Sequence, residues 1–384
     1  MKRILFLDHT SALGGGELCL LTIAEGLRDR SEVVLFEDGP FATRLRASGV
    51  SVDIIELSQK VHGIGRSSGL LADLAATPAL FGQILRIARK ARRYDVVYVN
   101  SQKAMVVGTI AGFLARKPVV WHLHDLLEQS HFSRAHIRIS VTLGNRLTRY
   151  IIANSEASLA AFREAGGRAE RISVVYNGIN ARPFDDLTSA DRRDVRQALA
   201  IPDTAFLVGC FSRLADWKGQ HVLLEAARNE PEIHVLLVGE ALFAADASYG
   251  VMLRALSQRY GMDDRVHFVG FRDDIPELMF ACDAVVHTST APEPFGRVIA
   301  EGMLANRPVI ATRAGGAVEL IDDKVTGLLV PPSDATALRG ALVTLLRQPD
   351  LRNRLAEKGH QTARQKFASD EMIRRVGEII DALP

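Results

Sequence analysis

The sequence predicts an α/β protein made of two tandem, doubly wound domains, each with a parallel sheet covered by helices. Three observations support this prediction. Short, wholly apolar runs alternate with helix-like segments along the chain, as is typical of buried parallel strands. The alternation stops at about residues 177–202 and then begins again. With 384 residues the chain is also long enough to bury a full core in each of two domains.

The first half is predicted to hold seven strands, followed by a linker. Strand-like runs lie at residues 3–7, 32–36, 52–56, 96–100, 119–122, 150–153 and 172–175. Helix-like segments between them include residues 17–30, 41–47, 78–93, 103–115 and 156–165. Turn residues and charge at 177–202 suit a linker between domains. We therefore expect a first domain at residues 1–180.

The second half repeats the alternation, and a second domain is expected at residues 181–366. Its strand-like runs are residues 205–211, 233–238, 266–269, 284–287, 308–311 and 327–330. Its helix-like segments are residues 219–228, 248–260, 275–281, 296–305 and 335–346, and two more helices, 350–367 and 369–383, end the chain. Paired domains of this kind are expected to bind ligands in the cleft between them.

Composition indicates an ordinary globular protein, with 47% hydrophobic and 24% charged residues. Cys19, Cys210 and Cys282 lie far apart in apolar surroundings, so we expect buried, reduced thiols without metal-ligand spacing. The apolar run after Lys2-Arg3 is too short for a secretory signal. The longest apolar stretch, residues 104–115, is too short to span a membrane, which takes about 20 residues. A cytoplasmic protein is expected.

Charge is uneven along the chain. Residues 1–180 hold 23 Lys and Arg against 16 Asp and Glu, whereas the remainder holds 24 against 29. The segment 78–93 combines an apolar face with a row of cations, namely Arg86, Arg89, Lys90, Arg92 and Arg93. Two interpretations stay open, a solvated surface helix or a patch that faces anionic lipid or a polyanionic acceptor at the inner face of a membrane. No nucleic-acid partner is expected.

A glycine-rich loop, Gly14-Gly15-Gly16-Glu17, lies between the first strand and a helix. Such a loop lets the backbone approach a phosphate or sugar closely. Cys19 occupies the position of the last glycine of a dinucleotide fingerprint, which disfavours a dehydrogenase. The chain has no Gly-Lys dipeptide of a phosphate-binding P-loop.

Two histidines follow an apolar strand in the segment Trp121-His-Leu-His-Asp125. By alternation His122 and His124 point the same way. No further metal ligand lies near them in sequence. A substrate contact is the favoured interpretation of His124, with a structural hydrogen bond as the alternative and His122 as a rival.

Two cations lie on one loop directly after a strand. Arg213 follows the strand at 205–211, and Lys218-Gly219 opens the next helix. This arrangement predicts an anion clamp suited to a diphosphate leaving group, whose developing charge it would neutralise.

Two carboxylates eight positions apart, Glu293 and Glu301, flank a Pro-Phe-Gly turn. Glu301, near a helix N-terminus, can accept both hydroxyls of a ribose, and Glu293 can accept sugar hydroxyls. The N–H groups of Gly315 and Gly316 can face a phosphate. Three weaker candidates are more often turn or cap residues, namely Asn177-Gly178, Ser155 and Glu319.

Together these motifs resemble the family 4 retaining glycosyltransferases of the GT-B fold, in which two Rossmann-like domains face each other across a cleft. The resemblance is dense in residues 205–330 and looser in residues 1–180. It implies that Arg213 and Lys218 hold the donor diphosphate and that Glu301 binds the ribose. Glu293 and His124 would contact the donor sugar. It also implies that the last helix, about residues 367–384, rejoins the first domain.

Further donor contacts are implied by the same resemblance. Gly15 and Gly16 would face the diphosphate and acceptor, and Arg272 would border the base. The remaining contacts would come from the backbone and helix start at Phe295, Gly296, Arg297 and Val298, and from the glycine pair Gly315 and Gly316.

The implied reaction moves a sugar from a UDP- or GDP-linked donor to a hydroxyl acceptor, with retention of anomeric configuration. The acceptor would be lipid-linked or a growing surface polysaccharide or other glycoconjugate. No Asp-x-Asp loop is evident, so no cofactor or metal is expected. Two alternatives stay open, a nucleotide-sugar epimerase of the same fold and a non-catalytic sugar-nucleotide-binding partner in a polysaccharide assembly complex.

Overall fold

The structure is a computed structural model that describes residues 1–56, 78–241 and 246–384. The chain divides into two compact units. The first comprises Met1–Gly178 and Ser369–Pro384, and the second comprises Ile179–Ala368. Each unit has its own parallel sheet, so the predicted fold class is confirmed.

The first unit contains a seven-stranded sheet with the order β3-β2-β1-β4-β5-β6-β7. Its strands are β1 (Ile4–Asp8), β2 (Ser31–Leu35), β3 (Ser51–Ile54), β4 (Val96–Val99), β5 (Val119–Leu123), β6 (Tyr150–Ala153) and β7 (Ile172–Val174). Its helices are α1 (Gly15–Gly26), α2 (Pro40–Ala47), α3 (Pro78–Ala91), α4 (Gln102–Ala115), α5 (Arg134–Leu147) and α6 (Glu156–Glu164).

Both faces of the first sheet are buried because side chains on a strand alternate between them. Leu5 and Leu7 of β1 lie in one core cluster. Ile4 and Phe6 lie in the other, and none of the four is exposed. Strands buried on both faces need continuous apolar sequence, which is the signal that predicted them.

The second unit contains a six-stranded sheet with the order β10-β9-β8-β11-β12-β13. Its strands are β8 (Phe206–Phe211), β9 (Ile233–Val238), β10 (Val266–Gly270), β11 (Ala284–His287), β12 (Val309–Thr312) and β13 (Leu328–Val330). Its helices are α7 (Arg182–Asp185), α8 (Ser189–Ala198), α9 (Gln220–Ala227), α10 (Ala247–Arg259), α11 (Ile275–Ala281), α12 (Arg297–Leu304), α13 (Ala317–Leu320), α14 (Ala335–Arg347) and α15 (Pro349–Lys366).

The final helix, α16 (Ser369–Asp381), belongs to the first unit. Met372, Val376 and Ile380 are buried in the same core cluster as Cys19 and Leu20 of α1. At the sheet's amino end, Arg30 Nη1 donates to Asp381 Oδ1 at 2.6 Å.

The segment at 177–202 is not the simple linker that the sequence suggested. It contains α7 and α8, and α8 begins with a capping box at Thr188. Arg196 of α8 is 2% exposed and donates from Nη2 to Asp283 Oδ2 at 2.7 Å. The boundary between the two units, at Gly178/Ile179, lies inside this segment. Helix α8 was not predicted because it is fixed by a buried ion pair and carries no apolar stripe.

The basic helix α3 packs its apolar face on the first sheet, where Ile84, Ile87 and Ala91 are buried. Lys90 Nζ donates to Glu32 of β2 at 2.7 Å and to Asp53 of β3 at 2.6 Å. The arginines of the segment stay exposed, namely Arg86, Arg89, Arg92 and Arg93. Within the described ranges, no helix is both long and apolar enough to cross a membrane.

Candidate active site

The carboxyl ends of β8 and β11 lie side by side in the second sheet, where Gly209 pairs with Val285. Strand succession reverses here, because β9 follows β8 on one side and β12 follows β11 on the other. Open α/β sheets bind ligands outside the carboxyl ends of their strands at such a switch point. The two loops that leave these strands carry Arg213 and Lys218 on one side and Glu293 on the other.

These two loops are fastened together through their backbones. Thr288 Oγ1 donates to the Lys218 carbonyl at 2.8 Å, and the Thr290 N–H donates to the Trp217 carbonyl at 2.8 Å. Gly219 has φ +70°, and a Cβ there would lie 2.0 Å from the Thr288 carbonyl oxygen. Only glycine permits this close approach. Gly219 therefore lets the two loops pack together, and this packing positions the neighbouring Lys218.

Glu293 is the centre of a compact polar cluster. Lys218 Nζ donates to Glu293 Oε1 at 2.7 Å, and His287 Nε2 donates to the same oxygen at 2.8 Å. Ser289 Oγ also donates to it. The Lys218 and Glu293 side chains are only 15% and 11% exposed. Burial raises the pKa of the carboxyl, but the Lys218 ammonium and His287 outweigh it and hold that pKa well below its usual range. Glu293 is therefore an anion at neutral pH.

Arg213 lies at the same switch point. Its Nη1 donates to Asp246 Oδ2 at 3.1 Å, and both side chains are about one-fifth exposed. Its guanidinium carbon lies 5.5 Å from the Trp217 ring centre, and Lys218 Nζ lies 4.3 Å from that centre. Trp217 thus lies within 5.5 Å of both cations, and the loop keeps two positive charges close to the strand end.

Glu301 and Arg297 face each other one turn apart on α12. Arg297 Nη2 donates to Glu301 Oε1 at 3.0 Å. Among the described residues, Arg297 Nε and Nη1 are buried and have no hydrogen-bond partner. Gly296, with φ +90°, is the N-cap residue directly before the helix. The first N–H groups of a helix, here including Val298, have no intrahelical acceptor. This helix start can therefore bind an anion.

The glycine pair Gly315-Gly316 does not offer both N–H groups to a ligand. The Gly316 N–H donates to the Glu293 carbonyl at 2.8 Å. A Cβ at Gly315, where φ is +55°, would lie 2.2 Å from that carbonyl oxygen. The prediction of a phosphate-facing N–H is wrong for Gly316, because this turn holds the Glu293 backbone in place.

Two further predicted residues lie on loops that follow strands of this sheet, Phe295 after β11 and Arg272 after β10. The Phe295 side chain is 2% exposed and packs edge-on to Phe367, at 5.8 Å between ring centres, so only its backbone can reach a ligand. Arg272 follows β10, and its Nε donates to Asp274 Oδ1 at 2.7 Å.

The first unit has its own switch point between β1 and β4. Gly16, near the start of α1, lies there with its carbonyl accepting from Asn100 Nδ2 at 3.1 Å. A Cβ at Gly16 would be in ordinary contact with the His124 ring at 3.6 Å. Gly15 is exposed. The glycine loop and His124 therefore meet at one sheet edge.

The two histidines differ in access. His122 has no exposed surface and its Nδ1 lies 2.6 Å from Tyr98 Oη. His124 is half-buried, and its Nε2 lies 2.9 Å from Asn100 Oδ1. This difference in burial favours His124 over His122 as a ligand contact. Nearby, burial and the charges of Asp8 and Asp125 raise the pKa of Glu17 to about 8.

Family comparison agrees with this architecture in both units. The family described as "Glycosyl transferase 4-like domain" matches residues 14–178, and "Glycosyl transferases group 1" matches residues 191–362. A solved structure, HepE from Anabaena in complex with UDP-glucose, is 41% identical and superposes with a TM-score of 0.91, covering 100% of both chains. The chain belongs to the family 4 glycosyltransferases of the GT-B fold.

Two curated relatives of this glycosyltransferase match over shorter regions. The lipopolysaccharide core biosynthesis glycosyltransferase LpsE of Rhizobium meliloti is 30% identical over 57% of the chain and 63% of LpsE. A D-inositol 3-phosphate glycosyltransferase of Corynebacterium urealyticum is 31% identical over 61% of the chain and 57% of that relative. The matched region thus spans less than two thirds of either relative.

Sequence reasoning missed several partners of the glycosyltransferase's charged groups. His287 and Ser289 donate to Glu293, and Asp246 accepts from Arg213. Asn100 bridges Gly16 and His124. A signal existed for His287, since it is a polar residue that ends an otherwise apolar strand at the sheet edge where ligands bind.

Proposed function

We propose that this glycosyltransferase moves a hexose from a UDP-linked donor to a hydroxyl acceptor with retention of anomeric configuration. HepE has been crystallised with UDP-glucose and with UDP and glucose, which favours UDP over GDP as the donor nucleotide. LpsE is named for lipopolysaccharide core biosynthesis. This supports a lipid-linked or growing surface glycan as the acceptor class.

One observation carries the proposal: two cations share one loop at the switch point, and one of them is held by the ionised Glu293 at 2.7 Å. We assign Arg213 and Lys218 to the donor diphosphate. A charge-stabilising group pre-positioned where charge develops contributes most to the rate of such a reaction. The planar guanidinium also suits two-point contact with a phosphate.

The ribose is assigned to α12. Glu301 Oε1 already accepts from Arg297, and a carboxylate has further lone pairs for two hydroxyls. Nε and Nη1 of Arg297 are buried and have no hydrogen-bond partner within the described ranges, so they are assigned as donors to the diphosphate at the same helix start. Phe295, Gly296 and Val298 would contribute backbone groups only.

The donor sugar is assigned to Glu293 and His124. Lys218, His287 and Ser289 all reach Oε1 of Glu293, so Oε2 is the oxygen assigned to a sugar hydroxyl. Because its pKa is lowered, Glu293 serves as an anionic binding group and not as a proton donor. Gly15 and Gly16 are assigned to the diphosphate and acceptor, and Arg272 to the border of the base.

We propose a front-face displacement. The bond from the anomeric carbon to the diphosphate oxygen breaks while the acceptor oxygen bonds to the same face of that carbon. The departing phosphate takes the acceptor's proton, and Arg213 and Lys218 stabilise the negative charge that develops on it. The cations then do the work that a divalent metal does in other transferases, so turnover should persist in the presence of a chelator.

We further propose a cytoplasmic enzyme that touches the anionic inner face of a membrane through α3. Two exposed arginines on that helix, Arg86 and Arg89, and two that directly follow it, Arg92 and Arg93, support this placement, since each cation near an anionic surface contributes about 1 kcal/mol. Co-sedimentation with vesicles that contain anionic lipid tests it, and loss of binding in an Arg86→Glu/Arg89→Glu variant is the expected result.

A donor panel tests the proposed activity. Purified chain is incubated with UDP- and GDP-linked hexoses and with extracts of surface glycans, and release of nucleotide diphosphate is followed with and without acceptor. Acceptor-dependent UDP release supports transfer. Epimerised donor without acceptor would instead assign the enzyme to nucleotide-sugar epimerisation, and no turnover with any donor would support a binding role.

A further inference from the structure

Three side chains with metal-binding atoms converge in the first unit. Cys19 lies on α1, His122 near the end of β5, and His124 just after that strand. Their nitrogen and sulfur atoms lie within 4.8 Å of one another, and no other such group occurs among the described residues. The imidazole rings are 3.9 Å apart between centres.

Hydrogen bonds orient one histidine towards the shared space. Asn100 Nδ2 donates to Asp8 Oδ2 at 2.6 Å and to the Gly16 carbonyl. Its Oδ1 is therefore the acceptor for His124 Nε2–H at 2.9 Å. A neutral imidazole protonated at Nε2 has its lone pair on Nδ1, so Nδ1 is the atom that can ligate a cation.

His122 supplies the second nitrogen. Its Nδ1 is within 2.6 Å of Tyr98 Oη, while its Nε2 is buried and has no hydrogen-bond partner in the part of the chain that the structure describes. An orphaned, uncharged nitrogen beside a thiol is costly unless something bonds to it.

The third ligand is a fully buried thiol. Cys19 Sγ has no exposed surface and donates to Met372 Sδ at 3.5 Å. One thiolate and two neutral imidazoles form a donor set that suits zinc.

We propose that Cys19, His122 and His124 form a binding site for a thiophilic cation, for which Zn²⁺ is the expected occupant. Cys19 loses its thiol proton to solvent and the thiolate bonds to the cation, while His122 Nε2 and His124 Nδ1 each donate a lone pair. Zinc–ligand distances of about 2.0–2.3 Å place ligand atoms roughly 3.3–3.6 Å apart. Binding thus draws the three side chains together by about 1 Å. Tyr98 Oη and Asn100 Oδ1 hydrogen-bond to the ring nitrogens that do not bind the cation, His122 Nδ1 and His124 Nε2. Second-layer partners play this part at zinc sites.

This site would regulate transfer. The bound cation takes His124 out of its assigned contact with the donor sugar, so Zn²⁺ acts as a reversible inhibitor. The inhibition rests on the proposed function, whereas metal binding itself does not. Inhibition should disappear on addition of a chelator.

Cobalt titration of the metal-free full chain tests binding without any activity measurement. Co²⁺ bound to a thiolate gives a sulfur-to-cobalt absorption band. We expect that band at one equivalent in the wild-type chain and in Cys282→Ala, which removes a different buried cysteine. It should be lost in Cys19→Ser. Tyr98→Phe removes only the second-layer contact and should weaken Zn²⁺ affinity by about 10–100-fold.

Two results would overturn the proposal: no sulfur–cobalt band in the wild-type chain, or a band that survives in Cys19→Ser. Circular dichroism checks that each variant is folded. A wild-type chain that binds Co²⁺ but shows no transferase activity would leave the metal site supported and count against the proposed function alone.

Discussion

Replacing Lys218 with methionine tests whether one ammonium both keeps Glu293 ionised and binds the donor diphosphate. Nζ lies 2.7 Å from Glu293 Oε1, and the two side chains are 15% and 11% exposed. Methionine keeps the length of the side chain and removes its charge. Lys358, which is exposed and contacts Gln361 at 3.4 Å, gives the matched control Lys358→Met.

The stability change follows from the burial of the pair. A buried carboxylate that loses its cation destabilises the native state by about 3–5 kcal/mol. His287 and Ser289 still donate to Glu293 Oε1, so we expect about 3 kcal/mol. At about 2–4 °C per kcal/mol for a domain of this size, the melting temperature falls by roughly 6–12 °C. The double variant Lys218→Met/Glu293→Gln removes the stranded charge and should recover most of that loss.

Turnover separates the two roles of Lys218. Loss of one charge-stabilising group lowers kcat by about 10²–10³-fold, and the double variant should stay that slow although its stability recovers. Calorimetry and UDP-release kinetics measure the two quantities. An unchanged melting temperature in Lys218→Met would refute the ion pair, and wild-type turnover in the double variant would refute the diphosphate role.

The same pair predicts the direction of a pH effect. The pKa of Glu293 is lower in the native state than its ordinary value of 4.5, so its contribution to the free energy of unfolding is present above about pH 4.5. That contribution is lost as pH falls from 4.5 through the native pKa. Denaturant titrations across this range should show a weaker acid dependence in Lys218→Met than in the wild-type chain.

Three further predictions concern single groups. Glu301→Ala should weaken UDP binding about 10–100-fold in calorimetry, because hydrogen bonds to a charged group are worth about 1.5–3 kcal/mol. The control Glu232→Ala, at an exposed residue, should leave UDP binding unchanged. Equal UDP affinities of Glu301→Ala and the wild-type chain would exclude the ribose role. The pKa of Glu17 is raised from 4.5 to about 8, so the wild-type chain should lose stability as pH rises through that range. Glu17→Gln should abolish this loss. A pH dependence that persists in the variant would count against the raised pKa of Glu17. Gly219→Ala should lower the melting temperature and turnover together, because its Cβ would meet the Thr288 carbonyl at 2.0 Å; wild-type behaviour would show that the loop contact is unimportant.

The strands were predictable because each is buried on both faces, which demands unbroken apolar sequence. β6, β9 and β11 begin and end at the predicted residues. Helix α5 was missed because the residues it buries are His136, Ser140, Val141 and Gly144. Polar and small residues interrupt the apolar positions of this set, and Gly144 lies so close to Trp121 that a Cβ there would be 3.0 Å from its ring.

The site was predictable where one loop contains the whole motif, as with Arg213 and Lys218. It was not predictable where strand order decides the contact. Lys218 and Glu293 are 75 positions apart, and they meet because β8 and β11 are neighbours in the sheet. Cys19 likewise meets His122 and His124 because α1 packs on the sheet. The spacing of these residues in the sequence does not reveal that packing.

The stereochemistry of the first product tests the central account most directly. Proton NMR of the reaction with a UDP-α-hexose records the anomeric coupling of the product before it can equilibrate. Front-face displacement at the Arg213–Lys218 loop predicts a product with the α configuration of the donor. A β product, formed by attack from the opposite face, would contradict it.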